Sequence, residues 1–501
     1  MMRYRAVRIL AKPGVRLAIA VLLVAATVPV VAPPAMGAAD DDLPGVAMPA
    51  SPITGTLSEA ADYDDVYAVY LNTGQSITVA LKGPGNADFD LYLYPPGSTD
   101  MMVDPLAADS SASGSVELLN YTAEGPGTYY LDVYAYSGAG GYTLVWRVEN
   151  EVAGLYVTPM EGVGRIETAI MSARTAFPEG SEYVIIATAR SFPDALGGSA
   201  LAGVLDAPVL LTEPTALPAA VATEIVENLG ATRAIILGGT GAVSQAVEDG
   251  LNDMPGDVNV ERIGGANRYE TARKIANRVV NEIALLGGER SEGPYVAFVA
   301  TGQAFPDALS ASSWGSTGSV PFFLVNPSTD PAGLVESLMA VNVDRVYILG
   351  GTGAVPQAVQ TATEKAGITT LGRLAGRNRY ETAAAIAYEY GVDLSVAVTT
   401  GLDFPDALAG GAALGRYGVP ILLTRPTALE PAAKGVLEAH GRTIEDVFFL
   451  GGTVAVSVPV RAAVRGTISG TWGPSSLGGG SASLSAASRV PVLDPVKSNR
   501  P

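Results

Sequence analysis

The sequence predicts a multidomain protein, an antiparallel β-sandwich followed by three tandem α/β repeats, and three observations lead to it. The pentapeptide FPDAL stands at 192–196, 305–309 and 404–408, each time inside the same ordered set of landmarks, so one structural unit is used three times. Eleven of the 21 Tyr lie between Tyr63 and Tyr142, which sets a compositionally distinct module ahead of the repeats. At 501 residues the chain is too long for one ordinary domain of roughly 150 residues.

Taken in order, residues 1–37 read as a signal peptide. Arg3, Arg5, Arg8, Lys12 and Arg16 precede an apolar run at 17–32, and small residues follow through Ala35, Gly37 and Ala38. That run is shorter than the roughly 20 residues a membrane span requires, and no later stretch is long and apolar enough, so no span is expected after cleavage. Residues 38–49 are expected to be a linker.

The module at 50–148 shows short alternating segments at 66–71, 77–81, 88–94, 129–134 and 142–148, separated by Pro84-Gly85, Pro95-Pro96-Gly97 and Pro126-Gly127. Within 88–94, Phe89, Leu91 and Leu93 fall on one face and Asp90, Tyr92 and Tyr94 on the other, the period of a half-buried strand. Asp62, Asp64, Asp65, Asp88 and Asp90 are either hard oxygen ligands for Ca²⁺ or solvated turn carboxylates. Tyr92 and Tyr94 either stack on sugars or simply form a sheet face. The run DxDDxY at 62–67, DFDLYLY at 88–94, GTYYLDV at 127–133 and GYTL at 141–144 resembles the bacterial pre-peptidase C-terminal domain. The resemblance implies a jelly-roll-like sandwich carried by secreted proteins, some of which bind calcium or matrix polymers.

Repeats are expected at 158–256, 257–367 and 368–466. In each, a Pro stands 14 residues after the FPDAL aspartate: Pro208 after Asp194, Pro321 after Asp307, Pro420 after Asp406. It opens PVLLT, PFFLV or PILLT. A glycine turn follows, Gly238-Gly239, Gly350-Gly351 and Gly451-Gly452, and an R-x-E-T-A segment lies upstream at Arg165, Arg268 and Arg379. Apolar runs such as YVIIATA and AIILGG alternate with amphipathic stretches, a βαβαβα order that predicts a mostly parallel, doubly wound sheet. The likeness of the three units suggests packing with approximate threefold symmetry. Residues 467–501, rich in Gly, Ser and Pro, are expected to be a disordered tail.

Each landmark has a structural and a functional reading. Asn267 and Asn378 stand three residues before Glu270 and Glu381, the spacing of a capping box. That leaves the arginines beside them to meet a carboxylate or a ligand anion. Pro and Asp in FPDAL suit a first helical turn. Yet the segment follows a strand's C-terminal end, where open α/β sheets present ligands, with Thr188, Thr301 and Thr400 just ahead. The glycine turns are placed likewise and their amides could hold an anion or sugar hydroxyls, although they carry neither GxGxxG nor a Walker lysine.

Composition narrows the chemistry. With 31 Lys and Arg against 50 Asp and Glu, a net charge of −19, nucleic-acid binding is not expected. No Cys and a single His, His440, exclude a Cys/His zinc site and a Cys nucleophile. Three copies of one site suit avidity on a repeating polymer better than they suit one catalytic centre.

GANRYETA, GRNRYETA, the three FPDAL segments, PILLT and GGTGAVS together resemble the type 2 cell-wall-binding repeat family. The resemblance implies three Rossmann-like or toprim-like units in an intrachain pseudo-trimer. They would attach non-covalently to an anionic secondary wall polymer or a peptidoglycan-associated glycan, with Arg268, Arg379, Thr212, Thr424 and the glycine turns at or beside the binding grooves. Two copies depart from the pattern: the first reads GVGRIETA, without Asn, and the second has Val325 where the others have Thr. Those copies are expected to bind weakly or to serve structure alone. The protein is then an exported, non-catalytic surface protein that displays its sandwich and needs no cofactor unless calcium joins that module. The alternatives are a self-assembling surface-layer component and a carboxylate-based wall glycan hydrolase.

Overall fold

The computed structural model describes residues 43–471 apart from 102, 151, 153, 192–195, 287–294 and 305. The expected signal peptide, Asp194, residues 38–42 of the expected linker and most of the expected tail therefore lie outside the described residues.

The N-terminal module holds β1 (Val46–Ala47), β2 (Ile53–Ser58), β3 (Asp64–Leu71), β4 (Gln75–Lys82), β5 (Asp88–Tyr94), β6 (Ala108–Ser110), β7 (Val116–Thr122), β8 (Gly127–Ser137) and β9 (Ala139–Asn150). One sheet runs β1-β3-β8-β5-β6 and the other β2-β9-β4-β7. Every pairing is antiparallel except β1 on β3, and Val46–Ala47 of the expected linker are a strand. Phe89, Leu91, Leu93, Leu131 and Val133 of the first sheet meet Ile77, Val79, Leu81, Leu119 and Leu144 of the second in one core. The other face of the second sheet is apolar too: Ala80, Val116, Leu118 and Val145 share a core with Ile170, Phe177 and Val184 of the first repeat. The module is thus fixed to the repeats through β4, β7 and β9 of this sheet, a correction to the expectation of a displayed domain.

The first repeat contributes β10 (Tyr156–Met160), α1 (Arg165–Ala176), β11 (Tyr183–Thr188), α2 (Gly198–Leu205), β12 (Val209–Thr212), α3 (Ala219–Thr223), β13 (Arg233–Leu237) and α4 (Gln245–Asn252). The second contributes β14 (Asn259–Ile263), α5 (Arg268–Leu285), β15 (Tyr295–Thr301), α6 (Pro306–Leu309), α7 (Ser312–Gly318), β16 (Phe322–Val325), α8 (Ala332–Ala340), β17 (Val343–Leu349) and α9 (Gln357–Lys365). The third contributes β18 (Thr369–Leu374), α10 (Arg379–Tyr390), β19 (Ser395–Thr400), α11 (Pro405–Gly415), β20 (Ile421–Thr424), α12 (Pro431–His440), β21 (Asp446–Leu450) and α13 (Val458–Gly470). The last helix runs past 467, where the tail was expected to begin.

Each sheet is parallel, four-stranded and assembled across a repeat boundary: β12-β11-β13-β14, β16-β15-β17-β18 and β20-β19-β21-β10. The fourth strand of every sheet is the one that leads into the next repeat, and β10, ahead of the first repeat, completes the sheet of the third. The expected boundaries at 257 and 368 therefore cut off a strand that belongs to the preceding unit, and the three units close into a ring.

At the centre α2, α7 and α11 touch one another pairwise. Small residues allow the approach: a Cβ at Gly203 would stand 1.8 Å from the Ser316 carbonyl oxygen. The hydroxyls of Ser316 and Thr317 donate to the carbonyls of Ala412 (3.0 Å) and Gly415 (2.7 Å), which satisfies buried polar atoms that apolar packing would leave orphaned.

Candidate binding site at the strand ends

The first strand of each unit ends in a threonine that serves its own turn. Thr188, Thr301 and Thr400 are buried, and their hydroxyls accept the amides of Arg190 (3.3 Å), Gln303 (3.2 Å) and Leu402 (3.1 Å). Thr212 and Thr424, also buried, donate to the carbonyls of Ala216 (3.1 Å) and Ala428 (2.9 Å) and so fold the loop after the second strand.

The arginines meet neither partner first expected of them in all three copies. Each guanidinium donates to a backbone carbonyl just past the first strand: Arg165 to Ala189 (2.8 Å), Arg268 to Gly302 (2.6 Å) and Arg379 to Gly401. Arg165 in addition pairs with Asp403 of the third repeat at 3.1 Å, and Arg379 faces Asp307, so the carboxylate reading holds in those two copies.

The two described FPDAL aspartates lie between repeats. Asp307 is hydrogen-bonded to Thr382 and faces Arg379, both of the third repeat. Asp406 is hydrogen-bonded to Thr168 and faces Arg165, both of the first. Burial raises the Asp307 carboxyl above the ordinary range against the pull of Thr382 and Arg379. Burial pushes Asp406 up to about 6, with Asp403 and Glu161 adding repulsion and Arg165 and Thr168 opposing it. The first glycine of the turn belongs to the same seam. Gly350 and Gly451 sit at φ +102° and +83°, and a Cβ there would stand 2.5 and 2.1 Å from a carboxylate oxygen of Asp307 and Asp406. Gly238 adopts the same positive φ, 107°. Gly239 and Gly351 are half-buried and Gly452 is buried. Most of the landmarks thus build the joints between units, and four guanidiniums stay exposed: Arg268, which donates to Gly302, and Arg190, Arg377 and Arg425, which are paired with Glu213, Glu381 and Glu430.

One constellation escaped sequence reasoning. In the first two units Arg262 and Arg373, on the fourth strand, hold a pair of loop carbonyls: Gly238 (3.0 Å) with Val243 (2.9 Å), and Gly350 (3.0 Å) with Val355 (2.8 Å). In the third unit the matching carbonyls of Gly451 (2.9 Å) and Val456 (2.8 Å) are held by Arg461 from α13. Its counter-charge is Glu161, 2.5 Å away, and both side chains are fully buried. Glu161 also binds Arg147 of β9 at 2.6 Å, and Glu149, its neighbour on that strand, binds Arg465 at 3.1 Å. Although burial opposes ionisation, Arg147, Arg465 and Arg461 hold Glu149 down to about 2. The equivalent registers of β14, β18 and β10, which carry Arg262, Arg373 and Pro159, are the signal that would have revealed the exchange.

Of the five expected calcium ligands, Asp64, Asp65 and Asp90 gather near Asp132, while Asp88 serves a turn. Asp64 and Asp65 are consecutive in β3 and point to opposite sheet faces. Asp65 accepts the Tyr142 hydroxyl, and Asp88 accepts the Gly114 amide at 2.7 Å. Asp90 lies near Asp132, a residue not singled out beforehand, whose carboxyl is raised well above its usual value by burial and by the charges of Asp64, Asp90 and Asp65. Among the described residues no group of three or more acidic or His side chains is disposed to hold a metal ion.

Three units of one plan, closed in a ring and joined by the same joint, define a tandem-repeat binding scaffold. The sequence matches the Cell wall binding domain 2 over residues 160–248, 262–360 and 373–461, more than half of the chain, and the bacterial pre-peptidase C-terminal domain over 63–135. The chain belongs to the cell wall binding domain 2 family. It is 25% identical over 328 residues to the N-acetylmuramoyl-L-alanine amidase LytC of Bacillus subtilis, covering 65% of this chain and 62% of that protein. It is 27% identical over 357 residues to the amidase enhancer of the same organism, covering 71% of this chain and 45% of the relative. The chain thus spans less than two thirds of either relative. Cwp6 and Cwp8 from Clostridium difficile share the fold, each at a TM-score of 0.56. They are 21% and 20% identical, covering 80% and 77% of this chain and 68% and 64% of theirs. The family's units suggest a non-catalytic binding role at the cell wall or surface, and among the described residues no helix is long and apolar enough to cross a membrane.

Proposed function

We propose that this chain is an exported, non-catalytic protein held on the bacterial wall by its three repeats, which bind an anionic secondary wall polymer. Its Rossmann-like units form an intrachain pseudo-trimer, and a β-sandwich is fixed to one flank. The observation that carries this reading is the threefold occurrence of one unit whose strand ends leave Arg190, Arg268, Arg377 and Arg425 exposed. A chain of net charge −19 repels a polyanion over about 10 Å at 0.1 M salt, so attachment depends on such local cations. Three weak sites on one polymer gain about 10²–10⁴ in affinity through effective concentration alone. Hydrolysis by an aspartate pair finds no support, because Asp307 and Asp406 lie in different joints, each hydrogen-bonded to a threonine.

The test is co-sedimentation of the full chain with purified cell walls before and after acid extraction of secondary polymers. Binding that disappears on extraction is expected. Binding that survives assigns the peptidoglycan glycan in place of the polymer, and no binding to either preparation overturns the reading.

A further inference from the structure

The three units differ most between the helix that opens each repeat and the loop after the second strand. In the first unit the Thr212 hydroxyl holds this loop, the Ser244 amide donates to the Pro214 carbonyl at 2.7 Å, and Leu217 packs on the core. The third unit repeats all three devices with Thr424, with Ser457 on Pro426 at 2.9 Å, and with Leu429. The second unit has Val325, Pro356 and Asp330 in their places, and so has no hydroxyl, no amide hydrogen and no apolar plug. On the facing helix, exposed Arg273 stands where the other units bury Ile170 and Ala384. Asn326 replaces Arg425, whose guanidinium lies 5.7 Å over the Tyr380 ring, so Tyr269 lacks that cover. Where α12 packs on α10, α8 stands off α5, and a cavity of about 560 Å³ opens. Tyr269, Glu270, Arg273, Asn326, Asp330 and Ser337 are among its walls. That size lies within the roughly 300–1,000 Å³ of small-molecule sites.

We propose that this cavity is a saccharide pocket for one or two uncharged, hydroxyl-rich residues of a wall glycan. Tyr269 offers an aromatic face to the C–H side of a sugar ring, and the guanidinium, carboxylates, amide and hydroxyl supply donors and acceptors around its edge. The charge pattern selects against a polyanion. The Ala266 amide and Lys274 hold Glu270 below its usual range, and Asp330 accepts the Ala332 amide at 2.9 Å, so two carboxylates and one guanidinium line the cavity, with Lys274 paired to Glu270 beside it. The copy expected to bind weakly because it lacks the threonine thereby has room for a ligand. The inference takes its source of glycan from the wall-binding reading, but its chemistry stands on the cavity alone.

The experiment titrates the full chain with neutral oligosaccharides of two to four residues from the glucose, galactose, mannose and N-acetylglucosamine series, read by saturation-transfer NMR, with glycerol-phosphate oligomers as anionic competitors. Binding of at least one neutral series is expected, weakened at least tenfold in Val325→Thr/Asp330→Leu, which borrows the residues of the sister units, and at least fivefold in Arg273→Ala. No neutral series bound, equal binding by the double variant with an unchanged melting profile, or displacement by the phosphate oligomers overturns the proposal. Wall co-sedimentation of the same proteins separates the two readings. Sedimentation without saccharide binding removes the pocket alone, and saccharide binding without sedimentation removes the wall reading alone.

Discussion

The joint that closes the ring differs from the two joints inside it in where its cation comes from. Between consecutive repeats the loop carbonyls are held by Arg262 or Arg373, which arrive on the fourth strand and remain partly open to solvent. At the closing joint the strand arrives from the far end of the chain, bears Pro159 at that register, and cannot donate. Arg461 does so from the helix instead, against Glu161, 300 residues away in sequence. All three joints therefore need a guanidinium at one point in space, and the element that supplies it is interchangeable. The closing version has a cost the others avoid, because both charges are fully buried and the β module must cover them with Arg147 and Glu149. This gives the module a structural task that its position ahead of the repeats does not suggest.

The largest expected effect tests that cost. Glu161→Ala leaves Arg461 buried without its counter-ion and Arg147 with Glu149 alone, and should destabilise by about 3–5 kcal/mol. Glu248→Ala, which removes the half-open partner of Arg262, should lose only about 1 kcal/mol. Urea unfolding of both variants measures the difference, and equal losses would break the comparison.

A smaller effect separates the joints by pH. Asp406 is raised from about 3.8 to about 6, so the folded state binds the proton more tightly than the unfolded chain does. Its contribution is fully present below pH 4 and is lost as pH rises through 6, a swing of about 3 kcal/mol for a shift of that size. Asp406→Asn should remove this component, so the variant's stability relative to the parent should rise between pH 4 and 7. A difference between the two that stays flat over that range would show that Asp406 is ionised in the folded state.

The repeats were legible because their landmarks fix backbone geometry. FPDAL opens the helices α6 and α11, and Asn267 and Asn378 accept the amides of Tyr269 with Glu270 and Tyr380 with Glu381, as capping-box spacing requires. The strand exchange was not legible. β14 and β18 are largely solvent-accessible edge strands with too few apolar residues to announce themselves, and β10 carries a proline. The arginines' partners were hidden because they are backbone carbonyls, which every residue has. Docking of the module did leave a trace: Ala80, Val116, Leu118 and Val145 put apolar residues on the face turned away from the sandwich core, which a freely displayed sheet does not need. Val325 was visible as a departure, but its consequence depended on Asp330 and Pro356 lying beside it, which only the fold brings together.

The smallest effect sharpens the comparison at the helix that begins each repeat. In α5 and α10 the Asn cap is completed by Glu270 and Glu381, which accept the amides of Ala266 and Arg377, each at 2.9 Å. In α1 the cap is Gly164, with no side-chain bond, and the corresponding glutamate, Glu167, turns to Lys82 of the β module. The first repeat has exchanged a local cap for a tether between domains. Asn378→Ala should then cost about 1 kcal/mol, the usual value of such a cap. Gly164→Asn should return less than that, because its new Cβ would come within 2.9 Å of a Glu167 carboxylate oxygen and disturb the pair with Lys82. Lys82→Met separates the two roles: with the tether removed, Glu167 is free to complete the cap, and Gly164→Asn in that background should recover the full increment. Melting of the two single variants and the double variant gives the coupling, and strict additivity would mean that cap and tether do not compete for Glu167.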